Sequence, residues 1–86
     1  MAKKNRSGLP QLNLQMGDYS YQVPEHLNFE IMLVYKLGSA PNDFIDLVDS
    51  FAVEGENLVI GNRRTEYLYR VKIKLLKAAY LVPMED

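Results

Sequence analysis

The sequence predicts a small α+β domain: two β-hairpins, forming an antiparallel sheet, packed against two helices in the order ββααββ. Three patterns predict it. Apolar residues alternate with polar ones on both sides of Gly17-Asp18, they follow helical spacing after Pro24 and again after Pro41, and they alternate once more over Glu66–Leu75. The alternative arrangement is one N-terminal hairpin followed by three helices, because the last segment also satisfies a helical period.

Leu12, Leu14 and Met16 alternate with Asn13 and Gln15, and Tyr19, Tyr21 and Val23 alternate with Ser20 and Gln22. A Gly-Asp loop between them suits a type II′ turn, in which Gly takes the positive φ of the first central position. Closing the hairpin there pairs Met16 with Tyr19, Leu14 with Tyr21 and Leu12 with Val23, so that all six apolar side chains share one face. Pro24 then ends the strand and, with Glu25, suits the first turn of a helix. Over Glu25–Leu37, Leu27, Ile31 and Val34 make a helical stripe, while Phe29, Ile31, Leu33, Tyr35 and Leu37 alternate as a strand would. Length and the Pro-Glu start favour the helix, with Gly38 as its C-cap.

A second, amphipathic helix is expected where Phe44, Leu47, Val48 and Phe51 recur at i, i+3, i+4 and i+7, with Asp43, Asp46 and Asp49 mostly opposite. Pro41 and Asp43 mark its start and Gly55 its end. Leu58–Ile60 reads as a short strand and Gly61-Asn62 as a turn. Over 66–75, Tyr67, Tyr69, Val71, Ile73 and Leu75 alternate with Glu66, Arg70, Lys72 and Lys74, which favours a strand. The following 76–82 reads as helical. Residues 1–8 are expected to be a flexible basic tail, 9–83 a single globular domain, and 84–86 a frayed end.

Composition narrows the chemistry. The chain has 86 residues, ten basic and eleven acidic side chains, one His and no Cys. Without Cys there is no disulfide scaffold, cysteine-based zinc finger, iron–sulfur cluster or thiol nucleophile. His26 is the lone imidazole and reads as a helix-start residue; Ser20 and Ser39 lack a nucleophile-elbow setting. Asp43, Asp46 and Asp49 read as a solvated acidic face rather than a magnesium site. No phosphate-binding glycine loop, dinucleotide fingerprint or EF-hand spacing occurs. The expectation is a protein that is not an enzyme and needs no cofactor or metal. Lys3, Lys4 and Arg6 are not followed by the apolar stretch of a signal peptide. The longest apolar runs, Ile31–Tyr35 and Ala78–Val82, have five residues each, against the ~20 that span a bilayer. An intracellular location, cytoplasmic by default, is therefore expected, with no membrane partner.

Charge is segregated along the chain. Residues 1–8 carry +3, residues 25–56 carry −6, and residues 63–77 carry +5. The last block, Arg63, Arg64, Arg70, Lys72, Lys74 and Lys77, is the candidate contact for an anionic partner, and with the N-terminal tail it defines a nucleic-acid-binding alternative. As a strand, however, the block would point its Arg and Lys side chains away from Tyr67 and Tyr69, which argues against a base-stacking platform. The segments 27–37 and 67–82 carry more apolar residues than one buried face uses. Phe29, Met32, Leu33, Leu68, Leu76 and Tyr80 are the candidate protein-interface residues. The favoured function is thus a protein–protein interaction module: a small subunit, adaptor or assembly factor, expected to self-associate.

Overall fold

The computed structural model describes residues 10–15, 17–37, 41–65 and 67–84. Seven strands follow in order: β1 (Tyr19–Gln22), β2 (Phe29–Tyr35), β3 (Asp43–Ile45), β4 (Val48–Glu54), β5 (Asn57–Asn62), β6 (Leu68–Lys72) and β7 (Leu76–Pro83). They build two antiparallel sheets, β1-β4-β5-β6 and β3-β2-β7. Among the described residues the only helical element is one 3-10 turn, Ile73–Leu75. The α+β expectation is therefore overturned, in both its two-helix and three-helix forms. The tail 1–8 and the terminal Glu85 and Asp86 lie outside the described residues; Met84 donates its N–H to the Asn28 carbonyl at 2.9 Å.

Each expected helix fails for its own physical reason. Pro24 opens a single turn, closed by the Leu27 N–H on the Pro24 carbonyl at 3.0 Å, and the chain then extends. From Phe29 onward the period-2 pattern wins. Ile31 and Leu33 enter the core between the sheets, with Phe29 and Tyr35 packed against it. Met32, on the opposite face, lies between its cross-strand neighbours Phe44 and Tyr80. A central strand covered on both faces reads as a continuous apolar run, and such a run resembles a buried helix.

The second helix is replaced by β3, a corner and β4. Leu47 sits at φ 47° at the corner, in the left-handed region that an L-residue with a bulky side chain rarely adopts. The register of β4 against β5 shifts between Val48 and Ser50. That bulge turns Val48 and Phe51 into the same core although they are three residues apart, an odd spacing that a regular strand would send to opposite faces. A bulged strand thereby mimics helical periodicity. The segment 76–82, expected to be helical, is β7, whose Leu76 and Ala79 join the core.

The N-terminal hairpin is also absent. Residues 10–12 run instead along β7: the Leu12 N–H donates to Ala79 O and the Leu81 N–H to Pro10 O, both at 2.9 Å. β1 pairs with β4, setting Tyr21 opposite Phe51 with ring centroids 5.3 Å apart. Gly17 does adopt positive φ, 98°, but there the chain passes from one sheet to the other instead of folding back. Leu12 and Val23 are both buried, each beside a different strand. The two-residue hairpin forms elsewhere, at Gly55-Glu56 between β4 and β5, with Gly55 at φ 62° and its N–H held by Asp18 Oδ1 at 2.9 Å.

The core lies between the sheets. Ile31, Val48, Leu58 and Ile60 are essentially inaccessible to solvent, each contributing on the order of 2 kcal/mol of transfer free energy.

Candidate functional site

Two regions of the surface stand apart from the packed interior. The first is one open side of the two-sheet stack. Among the described residues, β6 is the end strand of its sheet, bonded to β5 alone, and β3 is the end strand of the other. Between these two edges lies a cleft of about 250 Å³ lined by Leu33, Ile45, Phe44, Tyr69 and Val71, with Tyr35, Asp43 and Arg70 at its margin. The Tyr35 hydroxyl donates to Asp43 Oδ2 at 3.1 Å. Burial, then this hydrogen bond and the charge of Asp43, raise the Tyr35 phenol above its ordinary value, so it remains a donor. Two of the lining residues are widely exposed, Phe44 at 56% and Tyr69 at 46%, and Tyr67 and Leu68, next to Tyr69 in sequence, are exposed as well.

Pairing with β5 directs Leu68, Arg70 and Lys72 to the outer face of the sheet, and Tyr69 and Val71 to the inner face beside Ile60 and Leu58. Among the described residues the strand thus offers a free backbone edge with Arg70 and Lys72 on its outer face and the apolar pair Tyr69 and Val71 on its inner one. Natural sheets commonly protect such an edge with charge or bulges, since it is a template for another strand.

The second region is a basic cleft of about 580 Å³ at one end of the stack. Lys36, Lys74 and Lys77 line it together with the amides Gln11, Asn13 and Gln15, over a floor of Leu12, Leu14, Ile73 and Leu76. The Lys36 N–H donates to Leu75 O at 3.0 Å and the Ile73 N–H to Glu56 O at 2.9 Å, tying the 3-10 turn to β2 and to the β4–β5 hairpin.

The basic block 63–77 is divided among three places. Arg63 reaches Asn28 Oδ1 at 3.0 Å and the Leu27 carbonyl at 3.2 Å; Arg64 pairs with Asp46 at 3.0 Å. Both serve the corner between the sheets. Arg70 and Lys72 lie on the outer face of β6, and the strand stops before Lys74, which sits in the 3-10 turn near Lys77. Lys36, far away in sequence, completes that group and no local pattern announced it.

Of the apolar candidates, Leu33 and Leu76 are in the core, Met32 is buried on the outer side of its sheet, and Phe29 packs against the core. Tyr80 is half-buried in β7, and Leu68 alone of the six is widely exposed. Phe44, Tyr67 and Tyr69 belong to the exposed set although sequence reasoning did not select them; alternation along β6 was the available signal for the tyrosines. The three aspartates separate: Asp43 at Tyr35, Asp46 at the corner, Asp49 above Gly61 in β4. His26 is exposed in the turn after Pro24. Among the described residues no three His, Asp or Glu side chains gather as a metal site would require, and no helix is long and apolar enough to cross a membrane.

The chain matches no known family model, no curated protein and no solved structure. Function rests on the geometry alone.

Proposed function

We propose that the protein is a non-enzymatic interaction module, a small subunit, adaptor or assembly factor, that receives an extended segment of a partner protein along β6. The observation that carries this reading is the unpaired edge of β6 beside an apolar cleft. A strand added there would gain main-chain hydrogen bonds and direct alternate side chains into the cleft. Arg70 and Lys72 favour an acidic partner segment. Two copies pairing through β6 about Arg70 would set like charges opposite one another, which is unfavourable, so a different chain suits this edge better than a second copy. A cysteine-free protein of this kind suits a reducing, intracellular setting. The nucleic-acid alternative draws less support, because Arg63 and Arg64 are engaged in internal contacts and the remaining cations are split between two surfaces.

The test is amide hydrogen exchange with a seven-residue peptide of alternating Val and Glu as probe. Exchange over Leu68–Lys72 is expected to slow on peptide addition, and the Arg70→Glu/Lys72→Glu variant should lose the effect. Unchanged exchange at millimolar peptide, or protection confined to β1, would remove the proposal.

A further inference from the structure

We propose that the basic cleft binds an oligophosphate: a small anion with several phosphate charges, recognised through its phosphates alone. This site is separate from the β6 edge and does not rest on the reading given above. Three lysines, Lys36, Lys74 and Lys77, line one cleft, and none of the described residues lining it is acidic, in a chain with more acids than bases. The ion pair found among the described residues, Arg64–Asp46, is elsewhere. Like charges lining one cleft repel, and a multivalent anion relieves that repulsion.

The lining also specifies the class of ligand. Lysines act as point charges and suit phosphate without the bidentate geometry that arginine imposes. Gln11 and Gln15 add neutral amide donors. No described residue that lines the cleft is aromatic, so these residues give a nucleobase no platform on which to stack. Its volume of about 580 Å³ lies in the range of small-molecule sites.

The cations stand on backbone that is already fixed. The Lys36 N–H donates to Leu75 O, in the same 3-10 turn that carries Lys74. Lys77 is the exposed residue between buried Leu76 and Ala78 in β7. On the facing wall, Leu12 is anchored to Ala79 O and the Gln15 N–H is held by Asn13 Oδ1 at 3.0 Å. A preformed cleft loses little conformational freedom when an anion enters.

Isothermal titration of the full chain with sodium tripolyphosphate at low ionic strength tests the site. Binding is expected, weaker for orthophosphate, and similar for adenosine triphosphate. The Lys36→Gln/Lys74→Gln/Lys77→Gln variant should bind at least about tenfold more weakly, whereas Arg70→Gln/Lys72→Gln, which removes nearby cations outside the cleft, should change affinity less than about twofold. All three lysines are exposed, and unchanged thermal unfolding of the triple variant verifies its fold. Absence of tripolyphosphate binding, or equal losses in the two variants, would overturn the proposal. So would much tighter binding of adenosine triphosphate, which would require recognition of the base, or oligonucleotide binding that depends equally on Arg70 and Lys72.

Discussion

Asn62 shows how much one side chain holds. It is the buried polar residue among the described ones, and its amide group bonds the Asp46 carbonyl at 2.5 Å and Asp46 Oδ1 at 3.2 Å. Its Oδ1 accepts from the Arg64 N–H at 2.8 Å, and the adjacent Arg63 N–H bonds Leu47 O at 2.7 Å. The corner where Leu47 adopts positive φ is thereby fastened to the end of β5. Asn62→Ala would take the Asn62 amide away from the Asp46 carbonyl, Asp46 Oδ1 and the Arg64 N–H, and a loss of about 2 kcal/mol is expected in urea unfolding. Tyr35 makes a pH prediction. Its folded-state pKa is raised above the ordinary tyrosine value, through burial first and then Asp43. A raised folded value means that its stabilising contribution is complete below the unfolded pKa and is lost as pH rises through the folded one. Stability should therefore decline above about pH 10, and less steeply in Tyr35→Phe, as unfolding midpoints across that range would show. Neither role was legible beforehand: Asn62 read as a turn residue and Tyr35 as part of a buried helix, since both depend on neighbours remote in sequence.

At the scale of elements, alternation found β6 but not the partner of β1, whose expected hairpin did not form, and the 3.6-residue period misled. β6 and the expected strand at Leu58–Ile60 follow alternating or β-branched runs, and the structure has strands at both places. Phe44, Leu47, Val48 and Phe51 satisfied a helix only because a corner and a bulge interrupt β3 and β4. A single inserted residue shifts the phase of a strand, which no count of matches to a regular template detects. The glycine-led two-residue hairpin turn expected at Gly17-Asp18 is absent there, and one occurs at Gly55-Glu56, which the sequence pattern marked as a helix end. Gly55 carries it, with open space where a Cβ would project. Gly55→Ala should therefore lose stability through backbone strain alone, about 1 kcal/mol, measurable as a lower thermal midpoint.

At the scale of the molecule, strand pairing decides which residues become available for function. The same apolar residues that looked surplus to one core find cover when the chain makes two sheets: Leu33 and Leu76 inside, Met32 beneath its cross-strand neighbours. Leu68 and Tyr69 on β6, Tyr67 just before it and Phe44 across the cleft remain outside, where partner binding is proposed, as do Tyr21, Leu27, Leu37 and Leu75 at other places on the surface. The cationic group was half legible, since Lys74 and Lys77 lie within the basic block, but Lys36 joins them through the contact of β2 with the 3-10 turn. By itself the sequence determined the chemistry that cysteine would supply and this chain lacks, the segregation of charge, and the alternating face of β6. Only the tertiary structure decided that residues 10–12 and 19–22 belong to different sheets, that the bulged β4 is no helix, and which cations meet. The reason is that local patterns constrain the direction in which side chains point, whereas their partners are chosen by contacts between distant segments.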